Sequence, residues 1–256
     1  MRYRIKDKGI VYELIEPPKD KNLHKGIIIF PGMPNQPRND EQGDMLAFEG
    51  FYVLEPRYIG SWESYGEFNI NNCIKTVLEA EKLFKKGFAI ECWEKKKIDW
   101  DINETIMLSS SFGSSIVLSI AHKLDSKIFV CLAPLTNLKK HHKDEKIEEQ
   151  DLRQLGLFIK RGFENAFRGF NLSDWGKFIK GDSNANPIET VEQLKNKKIF
   201  LAHGKKDSAV NFNRTQEYYD KIKEKNEVKL KFYDNVGHGK QIKRESFLDV
   251  LKWIKE

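Results

Sequence analysis

The sequence predicts an α/β fold with a mainly parallel central sheet, and three observations predict it. Short apolar bursts ended by turns recur at 26–32, 51–56, 105–110, 127–134 and 198–203, as strands buried on both faces do. Segments with helical spacing fall between them, and strand-helix alternation of this kind implies parallel pairing with right-handed crossovers. The last apolar run, 228–233, alternates instead, as a half-exposed edge strand would.

Taken in order, residues 9–16 read as an edge strand stopped by Pro17 and Pro18. The strand at 26–30 ends in Pro31-Gly32, and residues 39–49 fit a short connecting helix before the strand at 51–56. A loop rich in glycine, serine and aromatics follows at 58–68. Ile70, Cys73, Ile74, Val77 and Phe84 then predict an amphipathic helix over 69–86. The strand at 105–110 leads into an almost wholly apolar helix over 112–123, and Phe247, Val250, Leu251 and Ile254 mark the closing helix.

One segment breaks the alternation. Between 138 and 190 there is no strand-like run, only a charged stretch over 139–149 and then Leu152, Leu155, Ile159, Phe163 and Phe167 on one helical face. Phe170, Trp175 and Phe178 follow. The pattern predicts a helical insertion over 138–190 within a single domain spanning 1–256. It either packs on the domain flank or closes as a lid over the carboxyl edge of the sheet, where α/β sites lie. The lid is the expectation, because the insertion leaves the sheet at that edge. Phe163, Phe167 and Trp175 would then line a substrate pocket with Tyr58 and Trp62 of the preceding loop.

Lysine and arginine number 44 against 38 aspartates and glutamates, but the charges are interspersed, with no polybasic tail or basic repeat to suggest nucleic acid. The three cysteines, Cys73, Cys92 and Cys131, have no Cys-x-x-Cys spacing and indicate neither a disulfide framework nor a zinc site. His141 and His142 lack carboxylates at metal-binding spacing. No signal-like h-region or run of about 18 apolar residues is present, so the expectation is a soluble, reduced, cytoplasmic protein without a membrane span.

The chemistry centres on Thr105-Ile-Met-Leu-Ser-Ser-Ser111-Phe-Gly113. A serine on a tight strand-to-helix turn has its hydroxyl pushed out over the sheet, provided the residues two before and two after are small. Ser109 and Gly113 meet that test for Ser111, whereas Ser110 is flanked by Leu108 and Phe112, and Ser109 by Met107. A serine hydroxyl needs a base, and the base needs an acid that fixes its tautomer. Asp207 follows the strand at 198–203, and His238 follows the strand at 228–233 between Gly237 and Gly239. Each alone could be a turn aspartate or a loop histidine; together they lie past strand ends in the order Ser, Asp, His. Asp234 is the competing acid, and His203 reads as a support for the Asp207 loop. An oxyanion hole would use the backbone N–H of Phe112 and of Met33, since Pro34 has none. The turn at Met33 could equally be a plain turn.

These motifs resemble the α/β-hydrolase superfamily along nearly the whole chain, and within it the prolyl oligopeptidase-type branch. Ser109-Ser-Ser111-Phe-Gly113-Ser is similar to that branch's Gly-x-Ser-x-Gly-Gly elbow, and Tyr58-Ile-Gly60-Ser61-Trp62-Glu-Ser64-Tyr-Gly66-Glu-Phe68 to its Tyr-Arg-Gly-Ser-Trp-Gly-Ser-x-Gly-x-Phe loop. His203-Gly204-x-x-Asp207-x-x-Val210 and Gly237-His238 resemble its acid and histidine loops. Ser109 stands for the first elbow glycine, Pro31 for a common histidine and Ile59 for the loop arginine. The resemblance implies Ser111 as nucleophile, Asp207 as acid and His238 as base, in a serine hydrolase for small esters, thioesters or amides that needs no cofactor or metal. The alternatives are an aminopeptidase-like serine peptidase, or a non-catalytic descendant that binds an acyl ligand or a protein partner.

Overall fold

The structure is a computed structural model that describes residues 1–38, 41–141 and 149–256. In chain order its elements are β1 (Arg2–Asp7), β2 (Ile10–Ile15), β3 (Lys25–Phe30), α1 (Gln42–Phe48), β4 (Tyr52–Pro56) and α2 (Ile70–Lys86). A small hairpin, β5 (Phe88–Ile90) and β6 (Lys97–Asp99), precedes β7 (Glu104–Ser110), α3 (Phe112–Ile120) and β8 (Ile128–Leu132). Then come α4 (Leu152–Gly162), α5 (Leu172–Ile179), β9 (Lys198–Gly204), α6 (Phe212–Ile222), β10 (Glu227–Tyr233) and α7 (Lys240–Lys255).

Eight strands form one sheet in the order β1-β2-β4-β3-β7-β8-β9-β10. β2 runs antiparallel to β1 and β4, and every pairing from β4 to β10 is parallel. Helices α2, α3 and α6 bury their apolar stripes on one face, and α1 and α7 on the other. β7 and β8 sit at the middle of the sheet and are almost wholly buried, which is why their sequences are continuous apolar runs rather than alternating ones. Among the described residues no helix is long and apolar enough to cross a membrane.

Several elements differ from the sequence reading. β2 is not an edge: all six of its residues are buried, and β1 lies outside it. β1 escapes notice because only Ile5 of Arg-Tyr-Arg-Ile-Lys-Asp is buried. Glu13 of β2 is buried beside Arg2, Arg4, Arg38 and Arg57 at 2.7–3.0 Å. Burial alone would raise its pKa, but hydrogen bonds from Arg38, Arg2 and Arg4 hold it down at about 2. The short hairpin and α6 were also unmarked, since the buried face of α6 includes Arg214 and Thr215. The helix expected over 39–49 begins at Gln42; residues 39–40 lie outside the described residues, as does 142–148 of the charged stretch with His142.

The segment expected as a lid supplies α4 and α5, and these pack against the loop at 57–69 and the start of α3. Phe112, Trp175 and Phe178 form a contiguous cluster, with Phe112 and Phe178 at 5.3 Å and Trp175 and Phe178 at 5.0 Å between ring centroids. Phe68 joins it through Phe167 at 5.0 Å. Backbone hydrogen bonds lace the two segments together: Trp62 N–H to Ala166 O, Arg168 N–H to Gly60 O and Phe68 N–H to Arg168 O. The Arg168 guanidinium also donates to the carbonyls of Trp62 and Ser64. Ile59, in the position where the resembling loop has arginine, is buried in the core, and the loop carbonyls are met by Arg168 instead.

Phe68 is 2 % exposed and meets four aromatic neighbours, Tyr58, Phe112, Phe167 and Phe170. Phe68→Ala should lower unfolding free energy by about 3–5 kcal/mol through the cavity it leaves. Urea unfolding checks this, with a lower midpoint at unchanged slope as the expected result.

Candidate active site

β7 passes into α3 through a single residue, Ser111, at φ 48° and ψ −118°. A side chain at positive φ is strained, and the surroundings hold it there. The Ser111 N–H donates to Leu132 O at 3.0 Å, and its carbonyl accepts from Ser114 and Ser115 N–H. The flanks behave as the steric test requires. A Cβ on Gly113 would sit 2.3 Å from Phe30 O and 2.6 Å from Pro31 O, so only glycine fits. Ser109 is tolerated because its hydroxyl is buried 3.0 Å from Ser114 Oγ. Gly32 packs against the elbow, and a Cβ there would lie 3.0 Å from Ser111 Cβ.

Asp207 sits on the loop after β9, and His238 on the loop after β10. The two loops are locked together: Lys205 N–H donates to Tyr233 O at 2.8 Å and Lys206 N–H to Val236 O at 2.9 Å. Gly204 allows this closeness, since a Cβ there would meet Val236 O at 2.1 Å. His238 Nδ1 lies 2.6 Å from Asp207 Oδ2. A carboxylate only accepts, so Nδ1 carries the hydrogen and Nε2 keeps its lone pair. The remaining acceptor sites of Asp207 are also filled. Its Oδ1 accepts from the N–H of Ala209 and Val210 at 2.8 and 2.9 Å, and His203 Nε2 lies 3.0 Å from Oδ2.

His203 is fully buried, and its Nε2 also faces Val210 O at 2.9 Å. Both partners are acceptors, so this nitrogen donates, and Nδ1 accepts from the Thr215 hydroxyl at 2.7 Å. His203 thereby ties the acid loop to α6. Thr215 was not singled out in the sequence, where a threonine in a polar helix gives no signal. Burial tends to raise the pKa of Asp207, but the hydrogen bonds and charges of His203 and His238 outweigh it and hold the carboxyl well below its usual value. Asp234, the competing acid, is exposed and pairs with Lys205 at 2.7 Å.

Ser111 and His238 line one cleft of about 190 Å³, together with Gly32, Met33, Asn35, Lys240 and Lys243. Among the described residues, neither Met33 N–H nor Phe112 N–H has a protein acceptor. The aromatic pocket candidates are placed elsewhere. Tyr58, Phe167 and Trp175 are at most 4 % exposed and belong to the aromatic cluster, and none of them, nor Trp62 or Phe163, lines this cleft. The Tyr58 hydroxyl instead donates to Pro31 O, and the Trp62 ring N–H to Asn35 O, both beneath the loop after β3. The helical spacing reported a buried face correctly but not what it is buried against. The cleft-lining Lys240 and Lys243 were missed; two cations in the opening turn of a helix were the available signal. Among the described residues no group of three or more histidines, cysteines or acids is arranged to hold a metal.

A model of the prolyl oligopeptidase family matches residues 164–256, the part that holds Asp207 and His238. No curated protein matches the sequence. Among solved structures, the Pyrococcus furiosus esterase Pf2001 is similar with a TM-score of 0.69 at 18% identity, covering 100% of this chain and 90% of that one. Est1E from Butyrivibrio proteoclasticus gives 0.65 at 15% identity over 100% and 99%. The Pyrococcus horikoshii acylaminoacyl peptidase gives 0.65 at 14% identity, and the chain spans 41% of its length. At such identities the likeness establishes a shared fold.

The lowered pKa of Asp207 fixes a sign for stability against pH. A carboxyl whose folded pKa lies below its unfolded value contributes stability above the unfolded pKa of about 4, and that contribution is lost as pH falls toward the folded pKa. Asp207→Asn should therefore be clearly less stable than the parent at pH 6, with the gap narrowing below about pH 4. Urea midpoints for both proteins across pH 3–7 measure it.

Proposed function

We propose that this chain, which has the α/β-hydrolase fold, is a serine hydrolase cleaving small carboxylic esters, thioesters or amides through an acyl-enzyme on Ser111. The observation that carries the reading is the 2.6 Å contact of His238 Nδ1 with Asp207, on a histidine that lines the same cleft as Ser111. That contact leaves Nε2 as the available base. Ser111 Oγ attacks the carbonyl carbon while its proton passes to His238 Nε2. The tetrahedral oxyanion is held by the N–H groups of Met33 and Phe112, the latter at the positive end of α3. His238 then gives the proton to the departing alkoxide, thiolate or amine. Water, deprotonated by the same nitrogen, attacks the acyl-enzyme, and the carboxylic acid leaves with Ser111 restored. Asp207 stays ionised throughout, orienting the imidazole and stabilising its cation.

Esterase activity is the favoured form, and the similar Pyrococcus furiosus Pf2001 structure is an esterase by name. A serine peptidase is the second reading, favoured by the family match over 164–256. A fluorophosphonate probe should label Ser111, and labelling should vanish in Ser111→Ala and fall steeply in His238→Ala. Turnover of a nitrophenyl ester should drop about 10⁶-fold in either variant. Folded parent protein that takes no label and turns over no ester would overturn the reading. Nitrophenyl esters run beside aminoacyl anilides separate the two forms.

A further inference from the structure

Asp207 uses its two oxygens differently. Oδ1 accepts two backbone N–H groups, from Ala209 and Val210, which fix the carboxylate to its own loop. Oδ2 accepts from two imidazoles, His238 at 2.6 Å and His203 at 3.0 Å. Only one of these rings faces outward. The His238 side chain is 27% exposed and lines the Ser111 cleft, whereas the side chains of His203 and Asp207 are sealed from solvent. Thr215 of α6, also fully buried, donates to the other nitrogen of His203 and so keeps its N–H turned toward the acid.

Two donors on one oxygen compete, and burial strengthens the competition. Burial raises the pKa of Asp207, and the His203 hydrogen bond is the largest opposing influence, ahead of that of His238. Uptake of a proton turns the Asp207–His238 pair from an anion into a neutral ion pair. The His203 N–H favours the anionic form more, because in the ion pair it also meets the repulsion of the imidazolium.

We propose that His203 is a positioning residue that sets the strength of the base. By taking a share of Asp207 Oδ2 it loosens the carboxylate's hold on the His238 cation, so Nε2 stays free of a proton further into the acid range. Thr215 acts one step behind it, by holding the His203 ring in place. This assignment rests on Ser111 and His238 acting as nucleophile and base, and it adds the group that tunes them. The other charged groups around the pair are Lys205 with Asp234, Lys206, and Lys240 and Lys243 of α7. Glu149 reaches the far end of the acid loop at Asn211 N–H. All of them stay in place in the variants used below.

The test compares His203→Asn with His203→Gln in the full chain. An asparagine amide takes the place of Nδ1 and reaches Thr215 only, whereas a glutamine amide takes the place of Nε2 and reaches Asp207. Circular dichroism verifies folding, and kcat/KM for nitrophenyl acetate is followed from pH 5 to 9. In His203→Asn the acid limb should move to higher pH by about half a unit or more, while His203→Gln should stay near the parent. Thr215→Val, which keeps the ring and its packing, should move the limb the same way by less. The His238 ring, titrated by NMR, should follow the same order, and that measurement needs no turnover. Folded His203 variants that lose rate with an unmoved acid limb and an unmoved His238 titration would overturn the proposal, leaving His203 as a loop support. If neither His203 variant folds, an unmoved profile in Thr215→Val does the same. A shifted His238 titration in a protein whose Ser111 takes no fluorophosphonate would keep the coupling and remove the hydrolase.

Discussion

The arrangement depends on one residue held in a conformation that side chains avoid. Ser111 at φ 48° joins the central strand to the most apolar helix, and strain of this type costs about 1–3 kcal/mol. It persists because its neighbours leave no room for anything else. β3 brings Gly32 against it, β8 accepts its N–H, and Gly113 lets the first turn of α3 lie on the backbone of Phe30 and Pro31. The serine hydroxyl is thus presented from the middle of the sheet, at the end of an almost wholly buried strand.

Behind the elbow the protein is apolar and buried. Phe112 points its ring into a block built by Phe68, Phe167, Trp175 and Phe178, so the side of α3 away from the cleft is fixed by packing. In front it is polar, and one carboxylate organises it. Asp207 takes four donors, two from its own loop and one from each of two histidines, which fills its acceptor sites. The two imidazoles on a single oxygen have different work: His203 anchors inward to Thr215, while His238 faces the cleft.

Much of this was legible in the sequence because it is set by local rules. The small flanks of Ser111 state a steric requirement, and the sheet's carboxyl edge follows from alternation, so residues just past strand ends converge there. His203 was read as a support for the acid loop, and its contacts with Asp207 and Val210 are of that kind. What was not legible depends on partners distant in sequence. The spacing of Phe163, Phe167 and Trp175 marks a buried face, and the loop at 57–69, not a cleft, is what Phe167 meets through Phe68 and Trp62. β1 was missed because its alternation is made of charges that are balanced by Glu13 and its neighbours, information carried by no single window.

The outermost strands of the sheet carry a consequence for how copies of the chain meet. β1 presents Arg2, Arg4 and Lys6, and β10 presents Lys229 and Lys231, at the two ends of the strand order. Unpaired backbone at such borders invites another molecule's strand, and rows of like charge oppose it. At the β1 border the Ile5–Glu91 bridge and the Cys92 N–H bond to Arg4 O already take up part of the backbone. At the β10 border a neighbouring strand would have to pass Lys229 and Lys231, and lysines on an edge strand oppose growth of sheet from molecule to molecule.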